Sequence, residues 1–180
     1  AGAGAGGAAS SFDLLETTLI STNTASVTFS NLNNYSDYKH LQIRSTVRGA
    51  LVTTGAGEYR MRFNADTGTK YPEHRLTGNG STVSSGGAAS QANGFRNLEI
   101  VGSTSTSNSF VGQVIDILDF SSSNKNTTVR IFNGLHTSTN TLVQLASGLY
   151  VDTAAVTSIT LDSDGWDFAS GSRFSLYGIK

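Results

Sequence analysis

Residues 39–48 constrain the fold more than any other stretch of this chain. Leu41, Ile43, Ser45 and Val47 share one parity, and Gln42, Arg44, Thr46 and Arg48 share the other. Successive side chains of an extended strand point to opposite faces, so this period of two buries one row and leaves the other in water. Tyr59, Met61 and Phe63 alternate with Arg60 and Arg62 in the same manner. Both segments predict strands that turn an arginine row outward.

Further strands are predicted at 12–20, 25–30, 95–101, 110–120, 127–135, 142–151, 156–161 and 173–179, about ten in all. They are bounded by turn chemistry such as Asn33-Asn34, Asp66-Thr67-Gly68, Asn79-Gly80, Asn93-Gly94, Ser121-Ser122-Ser123-Asn124 and Asp162-Ser163-Asp164-Gly165. There Gly and Asn adopt positive φ at little cost. Asn133-Gly134 fits either a hairpin turn or the interior of one long strand, and the long strand is favoured. The Ser-, Gly- and Ala-rich stretch 77–93 has no periodicity and predicts an exposed loop. A single helical turn is expected at 152–155 and nothing longer. With no fixed-period repeat, the pattern predicts an all-β antiparallel sandwich, jelly-roll-like, with extra edge strands.

Composition agrees. Charged residues make up 14% and hydrophobic residues 37% of the 180, so solubility rests on Ser, Thr, Asn and Gly, which serve turns and strands better than helix interiors. A chain of this length accommodates one core, assigned to 12–180. Residues 1–11 are all Gly, Ala or Ser, have nothing to bury, and are read as a flexible leader or docking arm. The start lacks the basic region and bulky apolar run of a signal peptide, and no segment approaches the length of a bilayer span. The net charge of −1 argues against a nucleic-acid partner, and no membrane partner is expected. The absence of cysteine excludes disulfides and thiolate metal sites.

Motifs for chemistry are sparse, and no cofactor, resident metal or catalytic residue is expected. Gly2, Gly4 and Gly7 spell a formal G-x-G-x-x-G, but without the strand before and helix after that aim backbone N–H groups at a pyrophosphate. His40, His74 and His136 are the side chains that titrate near neutrality, and none sits in a hydrolase or metalloprotease motif. His74, just after the only proline, is the candidate ligand contact among them. Asp116 and Asp119 interrupt an apolar strand on opposite faces; Asp116 is expected to pair with an arginine such as Arg44 or Arg130. Asp162, Asp164 and Asp167 offer hard oxygen ligands, yet lack the glycine and distal glutamate of a calcium loop, and predict a turn beside a buried aromatic. Tyr71 and Trp166 are read as loop aromatics suited to stacking on sugar rings.

The closing stretch Gly171-Ser172-Arg173-Phe174-Ser175-Leu176-Tyr177-Gly178-Ile179-Lys180 resembles the final strand of a family of bacteriophage virion proteins, common in marine and cyanobacterial phages and labelled tail fibre or structural protein. Tyr38-Lys39-His40-Leu41-Gln42-Ile43-Arg44, Arg62-Phe63-Asn64-Ala65-Asp66-Thr67-Gly68, the stretch from Tyr71 to Leu76, Ile115-Asp116-Ile117-Leu118-Asp119, and Ser147-Gly148-Leu149 followed by Ala155-Val156-Thr157-Ser158-Ile159 resemble its other blocks in order, as does the glycine-rich start. The resemblance implies a non-catalytic β-sandwich on the particle exterior, a fibre, receptor-binding or capsid decoration subunit. Its partners would be other virion proteins and further copies of itself, as a trimer. The leader, through Gly2, Gly4, Gly6 and Gly7, would dock on the particle. A carbohydrate-binding module that attaches to host-surface glycans through Tyr71, His74 and Trp166 is the competing expectation.

Overall fold

The structure, a computed structural model, describes residues 10–50, 55–137 and 139–180. The leader glycines Gly2, Gly4, Gly6 and Gly7 lie outside the described residues. Among these residues twelve strands run β1 Phe12–Leu19, β2 Ser26–Phe29, β3 His40–Val47, β4 Ala56–Phe63, β5 Glu73–Gly78, β6 Val83–Ala88, β7 Phe95–Val101, β8 Val111–Leu118, β9 Thr127–His136, β10 Thr141–Tyr150, β11 Ile159–Asp162 and β12 Arg173–Ile179. Every pairing between these strands is antiparallel. They form an eight-stranded sheet, β1-β12-β3-β8-β9-β10-β5-β6, and a four-stranded sheet, β2-β11-β4-β7. The expected all-β sandwich is present. Setting aside the β5–β6 and β9–β10 hairpins, the chain crosses between sheets at every step except β4 to β7, leaving β1-β12-β3-β8 over β2-β11-β4-β7. That alternation is compatible with jelly-roll wiring.

The alternating rows sort as their parity predicts. Leu41, Ile43, Ser45 and Val47 of β3 and Tyr59, Met61 and Phe63 of β4 are all buried. Two groups of aromatic rings anchor the core between the sheets. Tyr59, Phe168 and Phe174 meet edge to face at 5.0–6.3 Å, and Phe63, Tyr71, Phe95 and Tyr150 form a second cluster at 5.1–5.7 Å. Gly148 permits the second: a Cβ there would lie 2.5 Å from the Phe95 ring.

The large sheet overhangs the small one, and a row of polar side chains on its inner face deals with the consequence. Ser45, Gln113, Asn133, Gln144 and Thr77 are register partners in turn across β3, β8, β9, β10 and β5. β7 is an edge strand of the small sheet, so its outer carbonyls have no strand to bond. Gln113 Nε2 donates to Glu99 O (2.6 Å), and Asn133 Nδ2 and Gln144 Nε2 both donate to Asn97 O (3.0 and 3.2 Å). Side-chain amides of one sheet thus seal the open edge of the other.

Two local expectations are corrected. The stretch 77–93 is not a loop: β5 and β6 form a hairpin, with Gly80 at φ 90° and Asn79 Oδ1 accepting from Ser81 N (3.1 Å) and Thr82 N (2.8 Å). Its strand order rests on backbone pairing, and β6 (VSSGGA) has no apolar alternation to announce it because little lies beneath it. No helical turn forms at 152–155; Asp152 instead accepts from Ala154 N (2.8 Å) and Lys70 Nζ (2.7 Å). Among the described residues the one turn of 3-10 helix lies at Leu32–Tyr35, at the expected Asn33-Asn34 turn. Asn133-Gly134 runs inside the long strand β9, as favoured. Among the described residues no helix is long and apolar enough to cross a membrane.

Candidate functional site

Two outward surfaces hold the residues singled out from the sequence. On the small sheet, Ser26, Asp162 and Arg60 are register neighbours across β2, β11 and β4, with Thr28, Thr160 and Arg62 beside them. Asp162 receives Arg60 Nε (2.5 Å) and Arg62 Nη2 (3.1 Å), and Asp164 receives Arg60 Nη2 (3.0 Å) and Arg96 Nη2 (3.6 Å). The turn between them carries Asp164 at φ 55° and Gly165 at φ 109°. It folds Trp166 back so that its ring lies over Gly49, where a Cβ would meet it at 2.8 Å. Trp166 also packs edge to face on Phe168 at 6.2 Å. The result is an open cleft of about 550 Å³, walled by Trp166 and floored by the paired charges.

The arginines occupy the oxygens that a calcium ion would need. Among the described residues no group of three or more His, Cys, Asp or Glu gathers closely enough to hold a metal. The expected turn beside a buried aromatic is what Asp162, Asp164 and Asp167 build, with Phe168 as that aromatic.

On the large sheet, His74 is exposed on β5 and lines a second open cleft of about 560 Å³ with Leu76, Val114, Asp116, Phe132 and Leu145 among its walls. Asp116 does not form the expected ion pair. It lies in register with both Gln42 and Arg130, but Gln42 Nε2 donates to it (2.7 Å) while Gln42 Oε1 accepts from Arg44 Nε (2.8 Å). An amide therefore stands between the acid and Arg44. Asp119 sits in the turn after β8 with Lys125 at 3.1 Å. His40 and His136 are at strand ends, His40 accepting Asp119 N–H (3.0 Å) and His136 sharing a hydrogen bond with Thr141 Oγ1 (3.0 Å).

Tyr71 is corrected. Far from a loop surface, it is fully buried in the second aromatic cluster, and its hydroxyl donates to Asp66 O (2.9 Å). Burial raises its phenol to about 12. Tyr71 therefore has no face to offer a sugar, and it lies apart from both clefts; His74 is on β5 of the large sheet, whereas Trp166 is in the turn after β11, beside the small sheet.

The acids with shifted protonation were not legible from spacing. Glu99 on β7 is the register partner of Glu58 on β4. Burial pushes Glu99 up to about 7, with the neighbouring Glu58 adding to the shift and Arg75 opposing it. Glu58 is also raised by burial, against the pull of Arg75, whose Nη1 lies 3.5 Å away. Arg75 is further held by Asn97 Oδ1 (3.0 Å). This arrangement stores a proton near neutrality, and it flanks a small cleft of about 180 Å³ at the β7 edge.

The exposed apolar residues of the large sheet, Leu76, Phe132, Val143 and Leu145, were also passed over. The signal for them lies in adjacent apolar pairs such as Ile131-Phe132 and Leu142-Val143, which place apolar groups on both faces of one strand. No protein-family model, curated protein or solved structure matches this chain.

Proposed function

We propose that this chain is a non-catalytic structural subunit on the exterior of a bacteriophage particle, a tail-fibre, receptor-binding or capsid decoration component of jelly-roll type. The reading rests on the ordered resemblance described above. What supports it from the geometry is the use to which those blocks are put. Phe63, Asp66, Tyr71 and Gly148 make the second aromatic cluster and its hydrogen bonds, and Leu41, Ile43, Ile115 and Phe174 make the core between the sheets. Side chains spent on the framework leave the outer faces free to vary with the partner, which suits a presenting scaffold. The leader, with Gly2, Gly4, Gly6 and Gly7, serves as the docking arm in this reading. Mass spectrometry of purified particles from the phage that encodes the chain tests it. The chain should be present in many copies per particle, and its absence from clean particles would remove the proposal.

A second reading, attachment to host-surface glycans, is favoured by one observation: Trp166 beside the Arg60, Arg62, Asp162 and Asp164 network offers an aromatic wall and fixed polar groups in one cleft. Trp166→Ala should abolish binding on a glycan array while leaving the circular dichroism spectrum unchanged. Equal binding by the variant would reject the cleft.

A further inference from the structure

We infer that the outer face of β9–β10 and its neighbours is the contact through which two copies of this chain pack sheet to sheet about a two-fold axis. Val114, Phe132, Leu145 and Leu76 are register partners in turn across β8, β9, β10 and β5, and so form one apolar row on the solvent side. Val143 on β10 and Val83 on β6 extend it toward the sheet edge. Leu76, Val83, Phe132, Val143 and Leu145 are 50, 73, 50, 49 and 55% exposed. Together they present on the order of 500 Å² of apolar surface, at the upper end of what a monomer exposes in one patch.

The area matches what a second copy requires. Homodimer interfaces are about 65% apolar, so this patch corresponds to roughly 800 Å² per partner, the size of a standard stable interface. The relief is suited to interdigitation. Phe132 stands between two hollows, one of about 420 Å³ bordered by Gly112 and Val114, the other of about 210 Å³ bordered by Gly78 and Val143. Nothing lies within 4 Å of where a Gly112 Cβ would be.

The chemistry of the three rows is self-complementary about an axis parallel to the strands and midway between β9 and β10. Such an axis sets each β9 over the partner's β10 and each β8 over the partner's β5. In the central row Phe132 then meets the partner's Leu145, and Val114 meets the partner's Leu76. In the row on one side Asp116 meets the partner's His74, and Arg130 meets the partner's Ser147. On the other side Gly134 meets the partner's Val143, and Gly112 meets the partner's Gly78. Apolar groups meet apolar groups, a valine meets a glycine, a carboxylate meets an imidazole, and no like charges oppose. An isologous contact of this kind satisfies both copies with one patch. It rests on the virion reading, deepens the self-association that the resemblance implies, and puts a pair at this face in place of the expected trimer.

Sedimentation equilibrium tests it on the full chain. The purified protein should sediment at twice its 18.8 kDa mass, and the double substitution Phe132→Glu, Leu145→Glu should weaken association at least about 100-fold. Both side chains are half exposed, so the circular dichroism spectrum should be unchanged. A second measurement does not depend on tolerating charge: the chain has no cysteine, so a single Leu145→Cys should cross-link to dimer with a short bis-maleimide. Leu14→Cys, on β1 some four strands and about 19 Å from β9, should not. A monomer or trimer by mass, an unchanged dimer in the double variant, or equal cross-linking at both positions would overturn the inference. Each leaves the virion assignment to be judged separately by particle composition.

Discussion

Replacing Gln113 with leucine should cost the fold about 3 kcal/mol. The side chain is 4% exposed and serves three partners. Nε2 donates to Glu99 O (2.6 Å), and Oε1 accepts from Ser45 Oγ (3.0 Å) and from the Tyr59 hydroxyl. Leucine fills much of the same space, so the loss is one of pairing rather than of volume. Each buried polar group left alone costs roughly 1–3 kcal/mol. The Ser45 hydroxyl can rotate toward other acceptors, which leaves Glu99 O and the Tyr59 hydroxyl as the principal terms. For a chain of this size that lowers Tm by about 6–12 °C. Scanning calorimetry at pH 7 on the parent, Gln113→Leu, Tyr59→Phe and the double variant measures it. Tyr59→Phe alone should cost about 1 kcal/mol, yet in the leucine background it should recover about that much, because it removes a stranded phenol. A Gln113→Leu melt within about 2 °C of the parent, or further loss in the double variant, would refute the claim that this amide seals the β7 edge.

Glu99 gives a pH dependence of defined sign. Its folded value, about 7, lies above the ordinary carboxyl value of 4.5, so the folded state binds its proton more tightly than the unfolded chain. The penalty is absent below about 4.5, grows between about 4.5 and 7, and is complete above, reaching up to about 3 kcal/mol. Glu99→Gln should therefore raise Tm at pH 8 and leave it unchanged at pH 4, as read in parallel thermal melts. Lys70 bridges Asp66 (2.9 Å) and Asp152 (2.7 Å), and both carboxylates are held below their ordinary value, first by this lysine. Lys70→Met should lower the urea midpoint at pH 7 and low salt, and the difference from the parent should shrink as salt screens the lost pairs. Gly148→Ala forces a methyl against the Phe95 ring and should cost about 1–3 kcal/mol by the same assay.

Where alternation met burial on one face, the fold was legible. The rows of β3 and β4 reported their own buried parity, and Asn93, Gly94 and Gly165 adopt the positive φ their turns required. The β5–β6 hairpin was not legible because it overhangs the small sheet and carries no buried row to set a period. The amide row was hidden for the opposite reason. Gln113, Asn133 and Gln144 occupy inward positions where a hydrophobic pattern predicts apolar groups, and their partners are backbone carbonyls of a strand in the other sheet. For the site, Trp166 was found because a lone tryptophan beside three aspartates and a glycine marks a turn. Tyr71 was misplaced because Pro72 reads as a loop signal, whereas the ring has turned inward among Phe63, Phe95 and Tyr150. Glu58 and Glu99 share no sequence spacing at all, since only the β4–β7 register joins them.

The central claim, that this sandwich faces outward on a phage particle, is tested most directly by immunogold electron microscopy of intact particles with antibodies raised against the purified chain. The account predicts gold at defined exterior positions on unbroken particles. Label that appears only after particles are disrupted, or none at all, would contradict it.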